Sequence, residues 1–174
     1  MNIPESAKPY IERQRTLPKT PEKAVEGVIV EAQEIAQLLK DCRTILDIGC
    51  GVGILSTCLA RYGFTVTGFD KTKEKAPSEY GWTDKGRFYN SLEVAAEFAA
   101  ENDAQVDFVD EFPSQKFDAV ISLYSWGFHY PVELYSPDAP IWILDFRKGK
   151  GNYPEGEISV ISENHKAARI MVQR

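Results

Sequence analysis

The segment Asp47-Ile-Gly49-Cys50-Gly51-Val-Gly53 holds the residues best placed to do chemistry in this chain. Its alternate glycines let the backbone turn sharply and come close to a ligand. The run Ile54-Leu-Ser-Thr-Cys-Leu-Ala60 follows as a helix, whose free N–H groups face the same space. A second acid, Asp70, stands 23 residues beyond Asp47, where the next apolar stretch ends. A carboxylate at such a tip suits the two hydroxyls of a ribose. Dinucleotide sites also use a glycine-rich turn, spaced G-x-G-x-x-G. Here the spacing is G-x-G-x-G and an acid lies inside the preceding strand. That acid points to a ligand with positive character or donor groups rather than to a pyrophosphate.

Two further groups carry reactive side chains. Tyr124, Trp126, Phe128, His129 and Tyr130 crowd into one aromatic segment. They either pack on a substrate or cover the edge of a sheet. His129, with an imidazole pKa near 6.5, suits proton removal from a hydroxyl; the alternative is a hydrogen-bonded structural residue. Arg147, Lys148 and Lys150 put three cations in four residues of a chain whose net charge is −6. Arg147 and Lys148 either hold an anionic group, for which the planar guanidinium is suited, or form a solvated basic turn.

The elements that position these residues alternate. Thr44–Ile48, Phe64–Phe69, Val106–Val109, Phe117–Leu123 and Ile141–Leu144 read as strands, and Glu157–Ile161 with Ala168–Val172 as a closing antiparallel pair. Thr20-Pro21 caps an amphipathic helix running through Lys40, after an arm with one or two helical turns. Asn90, with Glu93 three residues on, starts a helix to about Ala100. Residues 71–89 and 147–156 read as loops. This alternation predicts a mostly parallel seven-stranded sheet with helices on both faces, a single domain with residues 1–43 as arm and helix and 44–174 as its main body. Such sheets bind ligands at the carboxyl ends of the strands.

The chain has 174 residues, 43% hydrophobic and 26% charged, within the globular range. Residues 44–146 hold 7 basic and 16 acidic side chains. This excess does not suit a duplex nucleic acid surface, which needs clustered Lys and Arg. No apolar run is long enough for a membrane helix, and the opening residues carry no apolar signal region, so a cytoplasmic protein is expected. Three cysteines without a C-x-x-C pair, and two histidines, predict neither a disulfide framework nor a zinc site; no metal is expected.

The segment Asp47–Gly53, Asp70, and Phe117-Asp118-Ala-Val-Ile-Ser122-Leu together resemble the class I S-adenosylmethionine-dependent methyltransferases over residues 44–146. The resemblance implies a Rossmann-like methyltransferase sheet and S-adenosyl-L-methionine as cofactor. It implies that Gly49, Cys50 and Gly51 lie along the methionine and ribose portion, with Gly53 also binding the cofactor and Asp47 contacting the methionine portion directly or through water. Asp70 would bind the ribose hydroxyls and Lys71 would lie beside the adenine. Asp110 falls near the adenine-facing acid, with Asp107 competing and a loop carboxylate as the plain alternative. Leu123 and Tyr124 would line the sulfonium side. Trp126, Tyr130, Arg147 and Lys148 are acceptor-side candidates, and His129 the candidate base. Departures are a long 71–89 loop, no room for a helix between Asp110 and Phe117, and a loop in place of the helix after the fifth strand. The chain lacks the N-P-P-Y-like and Pro-Cys motifs of nucleic-acid methyltransferases. The expected function is methylation of a small-molecule acceptor, leaning to oxygen. Two alternatives stay open: a non-catalytic domain of this fold that holds a partner protein, and an NAD-dependent oxidoreductase. Asp70→Ala is expected to weaken cofactor binding and, from its place at a strand tip, to leave folding intact.

Overall fold

Seven apolar-rich stretches pair into one sheet: β1 (Thr44–Ile48), β2 (Thr65–Phe69), β3 (Val106–Val109), β4 (Ala119–Leu123), β5 (Ile141–Arg147), β6 (Glu157–Glu163) and β7 (Ala167–Gln173). The computed structural model describes residues 1–14, 20–71, 90–123, 125, 130, 137–147, 155–163 and 167–174, with 13, 14, 146, 147 and 167 through their backbone alone. The strand order is β3-β2-β1-β4-β5-β7-β6. The first five strands pair in parallel. β7 runs antiparallel between β5 and β6. Chain order reverses between β1 and β4, and a ligand crevice opens beside such a reversal. The mostly parallel sheet with a closing antiparallel pair is therefore as the sequence predicts.

Helices α1 (Lys8–Gln14), α2 (Pro21–Leu38), α3 (Ile54–Arg61) and α4 (Leu92–Ala100) complete the described elements. Thr20 caps α2, accepting the Lys23 N–H at 3.4 Å, and Pro21 opens its first turn where a missing N–H costs nothing. The cap of α4 is Ser91 rather than Asn90: its hydroxyl accepts the Val94 N–H at 3.4 Å. Asn90 has a different task, at the site described below.

Alternation along each strand sends side chains to two faces. On one, Ile45, Val66, Ile121 and Ile143 pack with Ile11 of α1, Ile35 of α2, Leu59 of α3 and Phe98 of α4. On the other, Leu46, Ile48, Phe69, Trp142 and Ile170 pack with Phe117, Tyr130 and Ala139 from connecting segments. All four described helices thus lie on the first face. Helices for the second face, expected from the sequence, fall among no described residues. No described helix is long and apolar enough to cross a membrane.

β5 extends three residues beyond its predicted end at Leu144. It pairs with β7 from Ile141↔Gln173 to Arg147↔Ala167. Arg147, expected in a loop, is therefore the last residue of a strand. The extension is held in the interior by a cross-strand ion pair. Arg169 Nε and Nη2 donate to Asp145 Oδ1 and Oδ2, each at 2.7 Å, and Glu31 of α2 lies 3.7 Å from Nη2.

At the opposite end of the sheet, Asp118 ties β4 to the start of β1. Its Oδ2 accepts the Arg43 and Thr44 N–H groups at 2.8 and 2.9 Å. These bonds hold its pKa below the usual carboxylate value. A lowered folded-state pKa adds stability above the unfolded pKa, roughly 3.9, that is lost as pH falls through the folded value. Asp118→Asn is expected to remove part of the acid-side slope of stability against pH. Urea midpoints measured from neutral pH downward check this; identical slopes would show that the tie contributes nothing.

Candidate functional site

β1 delivers Asp47 to the helical face, where it is 3% exposed. The Ser56 hydroxyl of α3 donates to its Oδ2 at 2.6 Å. Burial pushes the Asp47 carboxyl up to about 7; the Ser56 bond opposes this and the nearby Asp70 charge adds to it. A raised pKa means the folded protein keeps a proton that the unfolded chain gives up. Stability is then full below the unfolded pKa and falls as pH rises toward 7. Asp47→Asn is expected to flatten the stability curve between roughly pH 4 and 7, with up to about 4 kcal/mol at stake for full burial. Urea midpoints across that interval test it; a curve parallel to the wild type would assign the slope to other groups.

The turn after β1 is bound to the end of β2. Gly49 N–H and Cys50 N–H both donate to the Phe69 carbonyl, at 2.8 and 3.2 Å. Gly53 has φ +72°, and a Cβ there would stand 2.6 Å from Phe108 Cζ. The same ring lies against Gly68 of β2, whose Cβ would be 2.7 Å from Phe108 Cδ1. Phe108 of β3 thus fills a slot between two glycines, and this fixes the turn against the sheet. Gly68 was not singled out from the sequence, although a glycine inside a strand signals close approach.

Asp70 follows β2 and is 6% exposed. Gly51 N–H donates to its Oδ2 at 2.7 Å. Asn90 Nδ2 donates to Oδ1 at 2.7 Å and to the Lys71 carbonyl at 2.6 Å. The Tyr130 hydroxyl also donates to Oδ1 and accepts the Lys71 N–H at 3.2 Å. Burial raises the Asp70 pKa, and the hydrogen bonds from Tyr130, Gly51 and Asn90 oppose the rise. Tyr130 stands edge-on to Phe69, with centroids 5.4 Å apart, and Lys71 Nζ lies 5.3 Å from its ring centroid. Burial and the two acids hold the Cys50 thiol protonated, with a pKa well above its usual value.

The structure therefore gathers Asp47, Gly49, Cys50, Gly51, Gly53, Asp70 and Lys71 around the ends of β1 and β2. It adds Tyr130, expected with the acceptor-side aromatics, and Asn90 and Ser56, which sequence reasoning missed. Asn90 stands 20 positions beyond Asp70 in the sequence, and no local pattern links the two. Asp110 follows β3 directly and is exposed, as is Asp107. Leu123 ends β4, half-buried against the helical-face core. Tyr124, Trp126, His129 and Lys148 lie outside the described residues, as does the side chain of Arg147. Among the described residues, no group of His, Cys, Asp or Glu could hold a metal ion.

A family model described as a methyltransferase domain matches residues 12–129. A ubiquinone biosynthesis O-methyltransferase from Actinobacillus pleuropneumoniae serotype 5b is 35% identical over 89 residues, covering 45% of this chain and 31% of that protein. The match thus spans less than a third of that relative's length. A putative O-methyltransferase from Nostoc punctiforme shares the fold with a TM-score of 0.63 at 11% identity, over 95% of this chain and 60% of its own. A 16S rRNA N2 G1207 methyltransferase from T. thermophilus, in complex with AdoMet and guanosine, aligns with a TM-score of 0.56 at 13% identity, over 84% and 42%.

Proposed function

We propose that this chain, which belongs to the methyltransferase-domain family, is an S-adenosylmethionine-dependent methyltransferase acting on a hydroxyl of a small molecule. One observation carries the reading: the Gly51 N–H joins the glycine turn to a buried Asp70 at the carboxyl ends of β1 and β2. The residues fit the cofactor, because Asp70 already accepts an O–H donor, the chemistry of a ribose hydroxyl. When bound, S-adenosylmethionine supplies a methyl group already activated on a sulfonium. The protein then has to align and to exclude water, for which no catalytic dyad is needed. Asp70 holds the ribose and Lys71 lies beside the adenine, with Asp110 on the same side. Asp47 stands near the methionine portion, and Leu123 and Tyr124 near the sulfonium. The protonated Cys50 thiol does not compete for the methyl group, since the thiolate is the nucleophile. His129 is the proposed base for the acceptor hydroxyl. Trp126 packs on the acceptor, and Arg147 with Lys148 holds its anionic group.

Oxygen as the acceptor atom is supported by the names of the relatives. A fold that also serves an RNA methyltransferase does not choose the acceptor class. The net charge of −6 favours a small molecule over a nucleic acid. A cytoplasmic location and a single domain, with its arm and helix in residues 1–43, belong to the same proposal. The test is calorimetry with S-adenosylhomocysteine and, separately, NAD. The reading requires that the first binds and the second does not. Binding of NAD alone at millimolar ligand would favour an oxidoreductase. Binding of neither would favour a non-catalytic domain, a reading consistent with an Asp70 already satisfied from within. Transfer of a labelled methyl group to small-molecule extracts then identifies the acceptor.

A further inference from the structure

The phenol of Tyr130 sits where a ligand of Asp70 would be. Tyr130 is 3% exposed and touches the candidate site on three sides. Its hydroxyl is on Asp70 and on the Lys71 N–H. Its ring edge is against Phe69. Its Cε2 would lie 3.2 Å from a Cβ on Gly49. The Tyr130 N–H donates to the Ser125 carbonyl at 3.2 Å, and the Ser125 side chain covers the remaining approach to Gly49.

A carboxylate offers about four lone-pair sites. Three are taken on Asp70: Gly51 on Oδ2, and Asn90 and Tyr130 on Oδ1. A ribose diol brings two hydroxyls, so one present donor must leave. Gly51 belongs to the turn itself. The Asn90 amide also holds the Lys71 carbonyl. Tyr130 is the one O–H donor of the three, the same type of group that a ribose presents. We infer that Tyr130 is a built-in substitute for a ribose hydroxyl, and that a diol-bearing nucleoside binds only after the phenol leaves Asp70. This rests on the cofactor reading above and adds its regulation. The occluded form is a competing state, so it lowers the apparent affinity by the fraction of molecules that hold it. It also keeps a buried carboxylate satisfied when no ligand is present, where an open one would be costly.

Tyr130→Phe removes the hydroxyl and keeps the ring against Phe69. S-adenosylhomocysteine, titrated into both proteins by calorimetry, is expected to bind the variant about ten-fold more tightly. In the wild type, the ring resonances of Tyr130, assigned by their loss in the variant, are expected to shift on saturation. Equal or weaker binding by the variant would overturn the occlusion while leaving the cofactor reading in place, and so would binding to the wild type with unmoved Tyr130 resonances. Absence of binding by both proteins would overturn the cofactor reading itself, and the occlusion with it.

Discussion

Alanine at position 70 is expected to weaken S-adenosylhomocysteine binding by about 1.5–3 kcal/mol, the range for hydrogen bonds to a charged group. It is also expected to lower the stability of the protein without ligand. The second half departs from what a strand-tip position alone suggests. Asp70 is 6% exposed, and its removal leaves the buried Gly51 N–H and Tyr130 hydroxyl without their acceptor, while the half-buried Asn90 amide keeps the Lys71 carbonyl. Each such buried group costs roughly 1–3 kcal/mol when it finds no substitute partner, although water entering the space of the lost carboxylate reduces the sum. Asp70→Asn keeps one acceptor oxygen and should fall between the wild type and the alanine variant in both measurements. Calorimetry and urea unfolding on the three proteins separate the effects. An unchanged affinity would remove Asp70 from the ribose, and an unchanged urea midpoint would show that its network does not support the turn.

The pair Asp145–Arg169 gives the largest expected change in stability alone. Both side chains are buried, at 2% and 9% exposure. The bidentate geometry satisfies both carboxylate oxygens. Arg169→Met leaves a carboxylate inside the sheet with no cation, an expected loss of about 3–5 kcal/mol. The double change Asp145→Leu, Arg169→Met removes both charges and is expected to recover most of that loss, since a well-packed apolar pair often equals a buried ion pair. Urea unfolding of the single and double variants tests the claim. If the single change costs under about 1 kcal/mol, the pair is solvated in solution and its burial does not determine its energetics.

The strands were legible because their burial is written in their composition. Thr44–Ile48 and Ala119–Leu123 are short apolar runs bounded by turns, and both form at the center of the sheet. The site was legible where it is local, as in the turn from Asp47 to Gly53. Its long-range half was not. Asn90 reads as a helix cap by its spacing to Glu93, yet Ser91 makes that cap and frees Asn90 for Asp70. Tyr130 reads as one aromatic among several, and only the fold shows its hydroxyl on an acid 60 positions away. The reach of β5 to Arg147 was hidden for a related reason: Asp145 breaks the apolar run, and its compensating cation lies on a strand 24 residues later.

The place of β7 between β5 and β6 has a consequence for how the chain reaches its native state. The outer edge of β5 is covered by the later of two consecutive strands, while the earlier one, β6, becomes the rim. During synthesis, β5 emerges with a row of open backbone donors and acceptors, and residues through Gln173 must follow before that row is closed. Until then the nascent sheet presents a long apolar edge, the kind of surface on which chains pair with one another. The finished rim is blunted by charge and irregularity: β6 carries Glu157 and Glu163 at its ends and a register shift between Val160 and Ser162. Self-association should therefore threaten the growing or refolding chain more than the completed one.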